Sequence, residues 1–216
     1  MKCLQWVWIS LLMSGCCVRE PKKPMIELHP YQLNIPEIKS ETDYLGRIEI
    51  QDVLSEGFVQ GKDNQEYLYR NADGTASDAG ANFLDARCTP DADNLIVYGH
   101  SSRTSEILFT PLMNYLDHEF AQKHHQLILF YHHEVRVYEL ISVFLFHTKQ
   151  ASDNDWMTVK YEREFLMKKA VERLKERSLF DFEEREGTQL LTLVTCNTEN
   201  HDERLIVIGI RKENSL

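Results

Sequence analysis

Six apolar runs along the chain have the composition of β-strands, and two intervening segments have the spacing of helices. Arg47-Ile48-Glu49-Ile50 alternates polar and apolar positions, the period of a strand with one buried face. Leu95 to Tyr98, Gln126 to Tyr131, Val135 to Phe146, Leu190 to Thr195 and Leu205 to Ile210 are rich in β-branched and aromatic residues. Within the fourth run, Val135, Val137, Glu139 and Ile141 fall on one face, Tyr138 and Leu140 on the other. His132-His133-Glu134 separates two runs and reads as a hairpin turn, although it lacks the favoured Asn-Gly pair.

Thr110 to Asp117 sets Leu112, Met113 and Leu116 on one helical face, with Thr110 as N-cap and Pro111 at the first helical position. Tyr161 to Arg177 spaces Tyr161, Phe165, Leu166, Ala170 and Leu174 for a second helix, with Glu164 and Lys168 as an i,i+4 pair. Such a helix suits covering a barrel wall, and it also suits bordering a peptide groove.

The N-terminus differs in character. An apolar run from Leu4 to Val18 follows Lys2, and Arg19, Lys22 and Lys23 follow it. It is shorter than the roughly 20 residues of a full membrane span but matches the apolar core of an export signal. Met13-Ser14-Gly15-Cys16 resembles a bacterial lipobox, with Met13 where leucine is usual. Lipidation at Cys16 and an uncleaved signal anchor are both open, and either puts the remainder outside the cytoplasm at a membrane. Residues 19–43 hold four of the six prolines and read as a tether with room for a short helix. The expected organisation is therefore an anchor over 1–18, a tether over 19–43 and one domain over 44–216.

A net charge of −10 argues against nucleic acid, whose phosphates attract lysine and arginine. Three of the five cysteines lie in the first seventeen residues, so the domain holds only Cys88 and Cys196. That excludes a disulfide framework and a paired-cysteine zinc site, and leaves a Cys88–Cys196 bridge as a rival to a free thiol. His124-His125 and His132-His133 complete no ligand set, and Asp91, Asp93, Asp153 and Asp155 form no EF-hand loop. No metal and no cofactor is expected.

The chemistry concentrates at three strand ends. Leu190 to Thr195 delivers Cys196, Leu95-Ile96-Val97-Tyr98-Gly99 delivers His100, and Arg204 opens the run Leu205 to Ile210. Thiolate is the attacking form of cysteine, and a free thiol is only a few per cent thiolate at neutral pH, so a cationic neighbour matters. A histidine supplies that partner and can later protonate a leaving amine. A guanidinium stays charged, so it serves as a fixed positive group for a carbonyl or oxyanion, not as a base.

These residues fall in a known pattern. Thr192-Leu193-Val194-Thr195-Cys196 with Arg204 downstream resembles the Thr-Leu-x-Thr-Cys…Arg signature of sortases, the cysteine transpeptidases of Gram-positive surfaces. Tyr98-Gly99-His100 resembles their histidine segment. Val59-Gln60-Gly61-Lys62-Asp63-Asn64 with Tyr67-Leu68, and Gly80 with Asn82-Phe83-Leu84-Asp85, resemble stretches of class B. So does Phe109 to Phe120, and the helix before the cysteine strand fits the insertion of that class. The similarity spans roughly residues 44 to 212.

The resemblance implies a mainly β fold, a closed eight-stranded barrel with peripheral helices. It implies Cys196 as nucleophile, His100 as general acid/base and Arg204 as the aligning cation. Thr195 and Asn197, which flank the cysteine, are expected to touch substrate. Val194 stands where class B members often carry serine, and Asn197 where some place an acid. The implied reaction cleaves a C-terminal sorting motif of a surface protein or pilin through a thioester. An amine of a peptidoglycan precursor or a pilin lysine then accepts the acyl group. Two rivals stand beside this: a cysteine peptidase with water as acceptor, and a non-catalytic surface module that only binds peptide.

Overall fold

The computed structural model describes residues 22–28, 44–149 and 154–212; the expected anchor over 1–18 and most of the expected tether lie outside the described residues. Among the described residues no helix is long and apolar enough to cross a membrane.

Ten strands form along the described chain: β1 (Met25–Ile26), β2 (Gly46–Ile50), β3 (Leu54–Gln60), β4 (Phe83–Leu84), β5 (Asn94–Tyr98), β6 (Gln126–Tyr131), β7 (Glu134–His147), β8 (Asp181–Phe182), β9 (Leu190–Cys196) and β10 (Glu203–Arg211). Eight of them close a barrel in the order β10-β7-β6-β2-β3-β4-β5-β9, so the expected fold class holds. Most neighbours are antiparallel, while β3·β4 and β5·β9 are parallel. The β6–β7 turn holds His132 at φ 49° and His133 at φ 60°, the left-handed conformation that a two-residue hairpin of this twist requires. All six sequence-predicted strands are present. β3 was not predicted, because Ser55, Glu56 and Gly57 interrupt its apolar pattern; its pairing with β2 over five residues makes it a strand.

The barrel separates two apolar layers. Leu95, Val97, Leu191, Leu193, Leu205 and Val207 point into the interior with Phe58, Leu127 and Tyr138. Ile96, Val194, Ile206 and Ile208 point outward and are covered by α2 (Glu164–Arg177) and the 3₁₀ turn Asp155–Met157. Consecutive strand residues serve opposite layers, which is why these strands read as continuous apolar runs.

The helices differ from expectation in detail. α2 starts at Glu164 and buries Met167, Ala170 and Leu174, whereas Phe165, placed on the apolar face by spacing, is 47% exposed. The expected Glu164–Lys168 pair is present at 3.0 Å. Thr110–Leu116 is a 3₁₀ helix, not an α-helix, and buries Leu112 and Tyr115 while Leu116 is exposed. Phe109 occupies its cap position, and the Thr110 hydroxyl accepts from the Ser102 N–H instead. A short α1 (His118–Lys123) follows, capped by Asp117, whose carboxylate accepts from Phe120 N–H at 2.8 Å.

Residues 22–28, assigned to the tether by composition, lie against the domain. β1 pairs in parallel with β8, and Ile26 is fully buried. Asp181 N–H donates to Pro24 O, and Gln122 holds both the N–H and the carbonyl of Glu27.

Candidate active site

The strand register brings the three candidate residues to one end of the barrel. Cys196 and Arg204 are direct partners in the antiparallel β9–β10 ladder. Directly opposed residues share a face, and here it is the outer one, in line with Val194 and Ile206. On the other side of β9, Tyr98 is in register with Val194, and Gly99 N–H donates to Val194 O at 3.0 Å. His100 follows β5 two residues beyond that pair, at the end of the barrel where Cys196 closes β9. The Ser101 hydroxyl donates to Cys196 O at 2.6 Å and closes this junction.

Cys196 is partly exposed and free, and so is not bridged to Cys88. Cys88 is buried, and its thiol lies 3.4 Å from Asn94 O. Burial pushes that thiol up to about 11, which leaves it protonated and inert at neutral pH.

His100 is half-buried, with Nε2 2.9 Å from Leu68 O. A carbonyl only accepts, so Nε2 carries the proton and Nδ1 is left for exchange. The exposed Tyr69 ring lies 6.3 Å from the imidazole. Leu68 and Tyr69 belong to the segment between β3 and β4, which walls this side of the site.

Arg204 is held by the β9–β10 turn. Its Nη1 donates to His201 O and Glu203 O, both at 2.9 Å. The neighbouring acids are engaged elsewhere: Asp202 pairs with Lys149, and Glu203 accepts from the Asn197 amide at 2.7 Å. Asn197 is buried, and its side-chain oxygen also accepts from Glu199 N–H, so its polar atoms cap the turn. Thr195 is buried on the opposite face of β9 from Cys196, and its hydroxyl has no hydrogen-bond partner among the described residues. The ends of β5, β9 and β10 that carry His100, Cys196 and Arg204 thus lie side by side, with Thr195 on the opposite face of β9 and Asn197 in the turn that follows.

Residues without an assigned role in the sequence complete the surroundings. Arg103 donates to Thr198 O through Nε and to Glu199 O through Nη2, tying the loop after His100 to the loop after Cys196. Between these loops lies a cavity of about 290 Å³ lined by Ser102, Arg103, Glu106, Thr110, Thr198 and Glu199.

Asp85, fully buried, receives Asn64, Tyr98 and a two-point contact from Arg87. Burial alone would raise its carboxyl, but these hydrogen bonds outweigh burial and bring it down to about 2. Asn64 and Asp85 stood inside the quoted motifs, which was the available signal; their partnership was not visible there.

A sortase domain model matches residues 59–212. The chain belongs to the sortase family. It is 26% identical to Sortase B of Listeria monocytogenes over 178 residues, covering 79% of this chain and 70% of that protein. Sortase B of Clostridium perfringens superposes with a TM-score of 0.73 at 24% identity, covering 80% of this chain and 96% of that one. A Bacillus anthracis sortase B gives 0.70 at 26% identity, covering 81% of each. These likenesses identify class B, and the activity of this sortase is that of a cysteine transpeptidase. The match begins in β3 and includes every strand from β4 to β10, so it takes in all three strand ends described above.

Proposed function

We propose that Cys196 is the nucleophile, His100 the general acid/base and Arg204 the aligning cation of a membrane-tethered class B sortase. The observation that carries this is the side-by-side ending of β5, β9 and β10, with Arg204 paired to Cys196 and Gly99 bonded to Val194.

The Cys196 thiolate attacks the carbonyl carbon of the scissile peptide bond in a sorting motif, between Thr and Gly or a close variant. The tetrahedral oxyanion lies within reach of the guanidinium, whose remaining N–H groups are not engaged by the turn. Collapse breaks the C–N bond, and protonated His100 gives its Nδ1 proton to the leaving amine. The products are a thioester on Cys196 and a free C-terminal fragment. An acceptor amine then attacks the thioester, His100 takes its proton back, and the thiolate leaves as the new amide forms.

The substrate is a surface protein or pilin, and the acceptor is a peptidoglycan-precursor amine or a pilin lysine. The apolar run over residues 4–18 supports a membrane tether with the domain outside the cytoplasm. A library of sorting pentapeptides tests the reading by mass spectrometry. The expected result is an acyl adduct on Cys196 that an added amine discharges as a ligated peptide. Ligation by Cys196→Ala would overturn it, and discharge to water alone, whatever the amine, would make the protein a peptidase.

A further inference from the structure

We infer that the main-chain carbonyl of Leu68 is the positioning group for His100, and that Gly80 holds this carbonyl where the imidazole meets it. The inference rests on the acid/base role proposed for His100.

An acid/base histidine works with one nitrogen while the other is fixed by an acceptor, which sets both tautomer and ring orientation. Among the described residues no carboxylate is hydrogen-bonded to His100; its acceptor is Leu68 O, at 2.9 Å from Nε2. A neutral acceptor directs the ring without adding a negative charge to the site. Once the ring is protonated, the same contact becomes charge-assisted and tightens.

The carbonyl comes from an irregular stretch between β3 and β4, so something must fix it. Ala81 N–H donates to Tyr67 O at 3.1 Å, and Ser77 N–H donates to Tyr69 O at 3.0 Å. Those two bonds pin the residues on either side of Leu68 and leave its own carbonyl for the histidine. Gly80 backs this arrangement at φ +64°, where a Cβ would stand 2.5 Å from Leu68 O and 2.6 Å from Tyr67 O. Any L side chain there meets two obstacles: a left-handed backbone, and the carbonyl oxygen itself. The carbonyl must then move, and His100 loses its acceptor. The Leu68 side chain packs with Val59, Ala81 and Phe83, so the stretch is fixed from beneath as well.

Two variants of the full chain test this. Gly80→Ala displaces the carbonyl. Replacing the Leu68–Tyr69 amide by an ester, through the hydroxy-acid analogue of Tyr69, weakens the same oxygen as an acceptor while keeping its place. The first readout is the nitrogen-15 shift of His100, which reports the tautomer. The native protein is expected to hold the proton on Nε2, and both variants to show a mixture. The second readout is thioester formation with a sorting peptide. The expected loss in kcat is on the order of 10- to 100-fold, with little change in KM. Should Gly80→Ala fail to fold, the ester variant decides alone. An unchanged His100 tautomer and unchanged kcat in the ester variant would overturn the inference. If His100→Ala still forms thioester at the native rate, the acid/base reading fails instead. The tautomer measurement still reports the Leu68 contact in that case.

Discussion

Arg204 faces Cys196 across the β9–β10 ladder, with its Nη1 bracketed by the carbonyls of His201 and Glu203. The bracket fixes the plane of the guanidinium and aims its other donors. Lysine keeps the charge but has no planar fork to be held this way. Arg204→Lys is expected to lower kcat about 100-fold, the scale of losing one oxyanion donor, with an unchanged melting temperature. Steady-state ligation of a sorting peptide measures it, and near-normal turnover would remove Arg204 from the chemistry.

The two thiols of the described domain differ in access to solvent. Cys88 is 4% exposed and raised to about 11 by burial, while Cys196 reaches solvent. Iodoacetamide at neutral pH is expected to label Cys196 and spare Cys88 until denaturant is added. Peptide mapping reads the outcome, and early labelling of Cys88 would contradict the packing around it.

Asp85 links acidity to stability. Its carboxyl sits at about 2 in the folded protein, below the ordinary value of 3.8. A depressed folded value means stability is present above the ordinary pKa and is lost as pH falls from about 4 to about 2. The shift corresponds to about 2 kcal/mol. Urea denaturation across this range should show that loss in the native protein and a flatter profile in Asp85→Asn. The variant should also be weaker at neutral pH, because Arg87 and Tyr98 lose a charged acceptor.

Ile26 tests whether the segment before the barrel belongs to the folded body. It is fully buried beside β8, so Ile26→Ala should lower stability by about 2–4 kcal/mol. Equilibrium unfolding of the native and variant chains measures this; a change below about 0.5 kcal/mol would mean β1 is only loosely attached.

The sequence revealed most of the barrel because its strands are apolar on both faces and so stand out as runs. β3 escaped because Ser55-Glu56-Gly57 has no such signal; only pairing with β2 reveals it. Helical spacing located α2 and placed Ala170 and Leu174 on its buried face, but chose Phe165 where the wall takes Met167. The proposed trio of Cys196, His100 and Arg204 came from residue type, position at strand ends and the resemblance to sortases. The Leu68 acceptor was not, since a main-chain carbonyl leaves no mark in a sequence. Asp85 was visible as a motif residue, but its partners come from residues 64, 87 and 98.

The ring of strands is sewn unevenly. β4 joins β3 through only Val59↔Phe83 and Gln60↔Leu84, and β5 through only Phe83↔Tyr98 and Leu84↔Val97, whereas β10 and β7 share nine pairs. The weakest stitch is thus the one from which the stretch bearing Leu68 hangs. Opening of the sheet is expected to start there, with amide exchange fastest at this seam. An opening that costs the rest of the ring little would take the histidine's acceptor away, so the same two-residue strand sets both where the barrel yields first and how long the imidazole stays aimed.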